Sequence, residues 1–224
     1  WILRNTLLTK NVKVLVYGDW KETSKNIIPF FTASYSENEK EPIEDKKLNT
    51  QINFLFVGTL SEGKQPIVSI KVVHELLKKG YHVKLNMYGE GRERENIETY
   101  ILRNNLQDVV VLHGNQTKNI IKEAYKKAHF LVFISKSEGW PKVVAEAMFW
   151  KCLPISTAVS CVPDMLAHGD RGSLVNADIE EIVTEIKTYL TNPVRYTQKI
   201  QAAFDWSRRY TLEKFEKEIA LLLK

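Results

Sequence analysis

From Gln51 onward, short runs of consecutive apolar residues alternate with longer stretches in which apolar positions recur every three or four residues. The short runs suit strands buried on both faces, and the longer period suits helices with one buried stripe. The pattern predicts strands over Ile52–Val57, His82–Tyr88, Val109–Leu112, Phe130–Ile134, Leu153–Ser156 and Ser173–Val175. It predicts helices over Pro66–Lys79, Arg92–Asn104, Thr117–Lys127, Pro141–Lys151 and Ile179–Leu190. Such alternation implies an α/β fold, a Rossmann-like parallel sheet with helices on both faces. Two further helices, Pro193–Arg209 and Leu212–Leu223, follow without an intervening strand and read as a terminal appendage on the domain edge. Upstream, Val12–Tyr17 and Ile27–Phe31 are apolar, and the polar, acidic run Ser36–Lys47 reads as a linker or surface loop.

Composition narrows the class. A chain of 224 residues, 44% hydrophobic, suffices for one sizeable core plus a partial unit. No run approaches the ~18–20 apolar residues of a membrane span, and Trp1-Ile-Leu-Arg4 lacks the order of a signal peptide, so the chain reads as soluble. It begins without Met and is expected to be a fragment of something longer. Cys152 and Cys161 have no zinc spacing and no disulfide framework, which favours reduced thiols and a cytoplasmic setting. The formal charge of +5 admits nucleic acid, an anionic membrane surface or a phosphorylated ligand. Basic residues never run beyond a pair and the aromatics sit in apolar patterns, which argues against nucleic acid.

Ligands of open parallel sheets bind at the carboxyl ends of the strands, so the loops there carry the candidate chemistry. The loop Gly58-Thr59-Leu-Ser-Glu-Gly-Lys64-Gln-Pro66 offers glycines for close backbone approach and Lys64 as a mobile charge for a diphosphate. Its plainer reading is a surface lysine in a tight turn, and it matches neither standard phosphate-binding glycine loop. Tyr88-Gly89-Glu90-Gly91 and His113-Gly114-Asn115 add glycine turns, each ordinary alone, which together would line one cleft with accessible backbone.

The fourth loop, Ser135-Lys-Ser-Glu138-Gly139-Trp140-Pro141, leads into a helix expected to begin at Pro141. A helix N-terminus suits a phosphate, with Gly139, Trp140, Lys142 and Val143 as N–H donors. Glu146 stands more than a turn inside that helix among Val143, Val144, Ala145, Ala147 and Met148. One reading pairs it with Lys142 on a solvated face. The other has Glu146 accept hydrogen bonds from a vicinal diol such as a ribose, while Glu138 holds sugar hydroxyls.

The Glu138-to-Glu146 element closely resembles the hallmark of the C-terminal domain of glycosyltransferase family 4, retaining enzymes of the two-domain GT-B fold. The continuation Ala147-Met-Phe-Trp-Lys-Cys-Leu-Pro154-Ile-Ser, the loop Gly58 to Lys64 and the turn Tyr88 to Gly91 are similar too, in order, within Ile52 to Leu223. The resemblance implies a nucleoside-diphosphate-sugar donor, with Lys64 on the diphosphate, Glu146 on the ribose and Glu138 on the transferred sugar. Lys64 and Glu138 are then the catalytic residues, and Gly58, Thr59, Gly89, Gly91, Asn115, Gly139, Trp140, Lys142 and Val143 complete the donor site. No metal and no cofactor are expected, in keeping with the absence of an Asp-x-Asp. Two positions depart from the family: Thr59 stands where an arginine is common, and Pro141 where a small residue is.

By this resemblance residues 1–50 are a remnant of an N-terminal acceptor domain with its linker, 51–210 the donor-binding domain, and 211–224 a helix packing back toward the missing half. The expected reaction is sugar transfer to an acceptor hydroxyl in polysaccharide or glycolipid biosynthesis, with the fragment alone inactive. The alternatives are a nucleotide-sugar epimerase of related fold and a non-catalytic nucleotide-sugar-binding module. Expected partners are the donor, the N-terminal domain of the same protein, and a membrane or lipid-linked acceptor at the inner face of the plasma membrane.

Overall fold

The computed structural model describes residues 12–18, 26–48 and 51–223; the opening Trp1-Ile-Leu-Arg4 and Lys224 lie outside the described residues. Strands β1 (Val14–Tyr17) and β2 (Ile27–Phe30) pair in parallel as a ribbon of their own. The main unit then runs β3 (Ile52–Val57), α1 (Pro66–Lys78), β4 (Val83–Tyr88), α2 (Arg94–Arg103), β5 (Val110–Leu112) and α3 (Lys118–Lys127). It continues through β6 (Phe130–Phe133), α4 (Lys142–Phe149), β7 (Leu153–Thr157), α5 (Val162–Met165), β8 (Ser173–Val175), α6 (Ile179–Thr191), α7 (Pro193–Ser207) and α8 (Leu212–Leu222).

The six strands form one parallel sheet in the order β5-β4-β3-β6-β7-β8. The chain builds outward from β3 to β5, crosses by α3, and builds outward again from β6 to β8. The order therefore reverses between β3 and β6, where adjacent loops diverge and leave a crevice at the carboxyl ends.

Strand side chains alternate between faces, and both faces are covered, which explains why the strands read as nearly continuous apolar runs. Phe54, Phe56, Phe130 and Val132 enter a core with α1, α2 and α6, while Leu55, Leu131 and Phe133 enter a second with α3, α4 and α5. Pro154 lies within β7, a non-edge strand. Leu153 N–H donates to His129 O at 2.9 Å, so the nitrogen of Pro154 faces the β8 side, where pairing starts only at Ile155 opposite Ser173. The proline thus removes no ladder bond.

Two expectations need correction. Pro141 is not the first residue of α4 but its N-cap, with φ −77° and ψ 87°, and the helix starts at Lys142. The helix α7 is no appendage: Tyr196 and Ile200 complete one core and Ala203 the other, so it seals both layers. The short helix α5 and the 3-10 turns at Glu37–Glu39, Glu62–Lys64 and Ala167–Gly169 were not anticipated, because each is too short to show a period.

The run Ser36–Lys47 has no regular structure beyond its 3-10 turn, yet polar contacts tie it down. Lys118 meets Glu39 at 2.9 Å, Lys122 meets Glu41 at 3.0 Å and Lys151 meets Asp45 at 2.6 Å. Lys46 drives its ammonium between the ends of α3 and α4, donating to Tyr125 O at 2.8 Å, Ala128 O at 2.6 Å and Trp150 O at 3.1 Å. Burial pulls its pKa down to about 8, while three carbonyls at helix C-termini favour the charged form.

Candidate active site

The loops after β3 and β6 meet across the crevice. The first folds as a 3-10 turn, Glu62–Lys64, and then passes Gln65 at φ 44° and ψ 49°, a left-handed conformation, before Pro66 opens α1. Its shape is held by the second loop, because Lys136 N–H donates to Gly63 O at 2.9 Å and Ser135 Oγ to the same oxygen at 3.2 Å. This lacing places Lys64 against Glu138, whose Oε1 accepts a short hydrogen bond from the Lys64 ammonium. The ammonium also lies 5.2 Å over the Phe133 ring, and the side chains are only 27% and 9% exposed. Solvent screening between such partly withdrawn charges is weak.

Past Glu138 the chain turns at Gly139, whose carbonyl accepts from Ser160 Oγ at 2.6 Å, and reaches Trp140, whose ring lies 5.8 Å from that of Tyr17. The Trp140 indole N–H is buried without a protein acceptor among the described residues. The Trp140 side chain borders a cavity of about 250 Å³ shared with Gly18, Phe30, Phe31 and Tyr210. Lys142 and Val143 are the first residues of α4, so their N–H groups have no intrahelical acceptor by position. The side chain of Lys142 is exposed.

Glu146 does not pair with Lys142. Its Oε1 accepts from Ser34 Oγ at 2.6 Å and its Oε2 from Tyr125 OH at 3.1 Å. Tyr125 is fully buried, and burial with the neighbouring Glu146 charge raises its pKa well above normal, so it stays a proton donor. This is how α4 tolerates a carboxylate among apolar residues.

The glycine turns interlock with one another. A side chain at Gly89, φ 134°, would collide with the carbonyl of Gly58, and one at Gly91 with that of Leu60. Leu60 N–H donates to Glu90 O at 3.0 Å and Gly89 N–H to Gly114 O at 2.9 Å. Gly89 and Gly91 thus serve first to let the loops close on one another, whereas at Gly58 it is the backbone, at φ 152°, rather than crowding that favours glycine. Thr59 and Asn115 are exposed on the same rim.

Against known proteins, the description "Glycosyl transferases group 1" fits residues 37–206 of the chain. The chain belongs to this family. Among curated relatives, an uncharacterized glycosyltransferase of Haemophilus influenzae is 29% identical over 207 residues, 89% of this chain and 56% of the relative. The capsular polysaccharide biosynthesis glycosyltransferase CapM of Staphylococcus aureus is 26% identical over 208 residues, 85% of this chain and 50% of CapM. The chain therefore spans about half the length of these curated relatives. In fold it is similar to TarM of S. aureus, solved with fondaparinux, α-GlcNAc-glycerol and UDP, at a TM-score of 0.71 and 20% identity over 94% of this chain and 43% of TarM. The sheet and its flanking helices are those of the GT-B glycosyltransferases.

Two residues of the site, Ser34 and Tyr125, carry no signal in the sequence. Ser34 lies in Thr32-Ala-Ser-Tyr35, which carries no motif, and Tyr125 is one aromatic on the buried stripe of α3, indistinguishable there from core.

Proposed function

We propose that this chain is the donor-binding half of a retaining glycosyltransferase, moving a sugar from a nucleoside diphosphate to an acceptor hydroxyl. The observation that carries the reading is the meeting of Lys64 and Glu138 at the point where strand order reverses, beside the open amides of α4. In the proposed reaction the bond between the anomeric carbon and the diphosphate oxygen breaks, and negative charge gathers on the departing diphosphate. Lys64 and the N–H groups of Lys142 and Val143 are preorganised to receive that charge, which lowers the barrier without reorganisation. Glu138 then holds hydroxyls of the transferred sugar, and Glu146 holds the ribose diol. Retention requires the acceptor oxygen to bond to the anomeric carbon on the face the diphosphate leaves, its hydroxyl proton passing to the departing diphosphate oxygen. The protein supplies the positive charge itself, so the proposal includes no metal and no cofactor.

The acceptor site is assigned to the half that the relatives have beyond the length of this chain. The formal charge of +5 and the polysaccharide role in CapM's name support work at the cytoplasmic membrane surface on a lipid-linked acceptor. Among the described residues no helix is long and apolar enough to cross a membrane, and the attachment we propose is peripheral. Co-sedimentation with anionic vesicles at low salt tests this, and no binding there refutes it. The central reading is tested by calorimetry with UDP-, GDP- and ADP-sugars: one donor class should bind, and binding by none of them sinks the proposal.

A further inference from the structure

The second carboxylate of the site is held from two directions by hydroxyls of very different origin. Tyr125 rises from α3 beneath the site and is fully buried. Ser34 comes from the connector between β2 and β3, far away in sequence. The connector is firmly seated at this point. Tyr35, the next residue, is 3% exposed, sets its ring edge-on to Trp150 at 5.0 Å, and accepts Leu212 N–H on its carbonyl at 3.0 Å. The pocket that Glu146 and this part of the connector share with Trp140, Phe149 and Trp206 holds only about 10 Å³, about the space of one water. Ser34 is therefore locked in place.

Each hydroxyl engages a different oxygen of Glu146. A carboxylate offers about four lone-pair sites, so roughly one remains on each oxygen. Two neighbouring acceptors of fixed orientation are what a vicinal diol needs. A glutamate without these partners would have to freeze its own rotamers on binding.

We propose that Ser34 is a positioning residue for nucleotide recognition: with Tyr125 it clamps Glu146 so that the remaining carboxylate lone pairs face the 2′,3′-diol of the donor's ribose. This rests on the assignment of Glu146 to the ribose made above. It makes the connector part of the donor site, although no residue of the connector needs to touch the nucleotide.

Calorimetry of the full chain with UDP, GDP and ADP first identifies the diphosphate it takes, and the 2′,3′-dideoxy form of that diphosphate then reports on the diol. Ser34→Ala is expected to weaken the ribonucleotide about fivefold and leave the dideoxy form unchanged, as loss of an aimed hydrogen bond should. Tyr125→Phe should behave the same way, and Ser34→Thr should restore wild-type affinity. If Ser34→Ala does not fold, Ser34→Cys, similar in size but a far poorer donor, carries the same comparison. Unchanged ribonucleotide affinity in the serine variant overturns the proposal, and so does equal weakening of both nucleotide forms, which marks a loss of fold alone. Failure of the underlying reading looks different: wild-type protein would then bind ribo and dideoxy forms equally, or bind none of the three diphosphates.

Discussion

Lys64 and Glu138 neutralise each other across the crevice, so under the proposed function an arriving diphosphate and sugar must separate them and offer each a new partner. The two residues should then fail differently. Lys64→Ala is expected to weaken both the free diphosphate and the intact sugar donor by about tenfold, the scale of one charge-assisted contact. Glu138→Ala should weaken the sugar donor alone. Titration of both variants with both ligands decides it, and parallel losses for Glu138→Ala would refute the split. At the opposite end of the sheet His129 has a structural task. Its Nδ1 accepts Asn53 N–H at 3.0 Å while Nε2 faces Lys47 O at 3.2 Å, an arrangement that needs the neutral ring. Burial, aided by the Lys46 charge, pulls its pKa from 6.5 down to about 4. The unfolded chain therefore takes up the proton first, and stability present above pH 6.5 drains away as pH falls through 4. Between pH 7 and pH 5 this one group should cost about 2 kcal/mol. His129→Gln should remove that part of the pH dependence in denaturant melts; an unchanged slope would show the assignment to be mistaken.

Among the elements, the glycine turns separate packing from chemistry. The sequence shows glycine after β3, β4 and β5 but not what each faces, because that depends on neighbouring loops distant along the chain. Gly89→Ala forces a side chain onto the Gly58 carbonyl at a positive φ and should destabilise by about 2–3 kcal/mol or more. Gly63→Ala, with nothing within 4 Å of the added carbon, should change stability by less than about 0.5 kcal/mol. Equal melting of the two variants would rule out the interlock. The same contrast separates what was legible in the sequence from what was not. Strand and helix periods were readable because both sheet faces are buried, and β3 through β8 fall within a residue or so of their expected bounds. That Lys64 and Glu138 follow two strands of one sheet was readable too. Their pairing was not, since it requires β3 and β6 to be neighbours, a matter of strand order. Ser34 was invisible for a similar reason: its partner Glu146 lies 112 residues away.

For the whole molecule, the question is how a chain spanning about half its relatives' length orients the connector that leads to its first strands. Much of the answer lies in Arg208, at the end of α7. Its guanidinium lies 4.0 Å over Phe204 and 4.9 Å over Phe149, and donates to Glu41 O at 2.7 Å and to Phe149 O at 3.4 Å. One planar cation thus joins α7, α4 and the connector, which a lysine cannot do because it lacks the fork and the flat face. Nearby, Thr211 caps α8 and donates to Glu37 Oε1 at 2.8 Å, while Glu213 accepts Glu37 N–H at 2.9 Å. The connector and the turn into α8 are therefore fastened to the same body. Arg208→Ala should cost about 2 kcal/mol by removing a stacked, partly buried cation and stranding two carbonyls. It should also speed amide exchange across residues 36–45 while the sheet stays protected, since local opening follows local contacts. Arg208→Lys should recover little of either effect, and Arg209→Ala, on the exposed side of the turn, should show neither. If the connector exchanges no faster in Arg208→Ala than in wild type, it is held by its ion pairs to α3 and by Lys46, and the arginine stack is packing only.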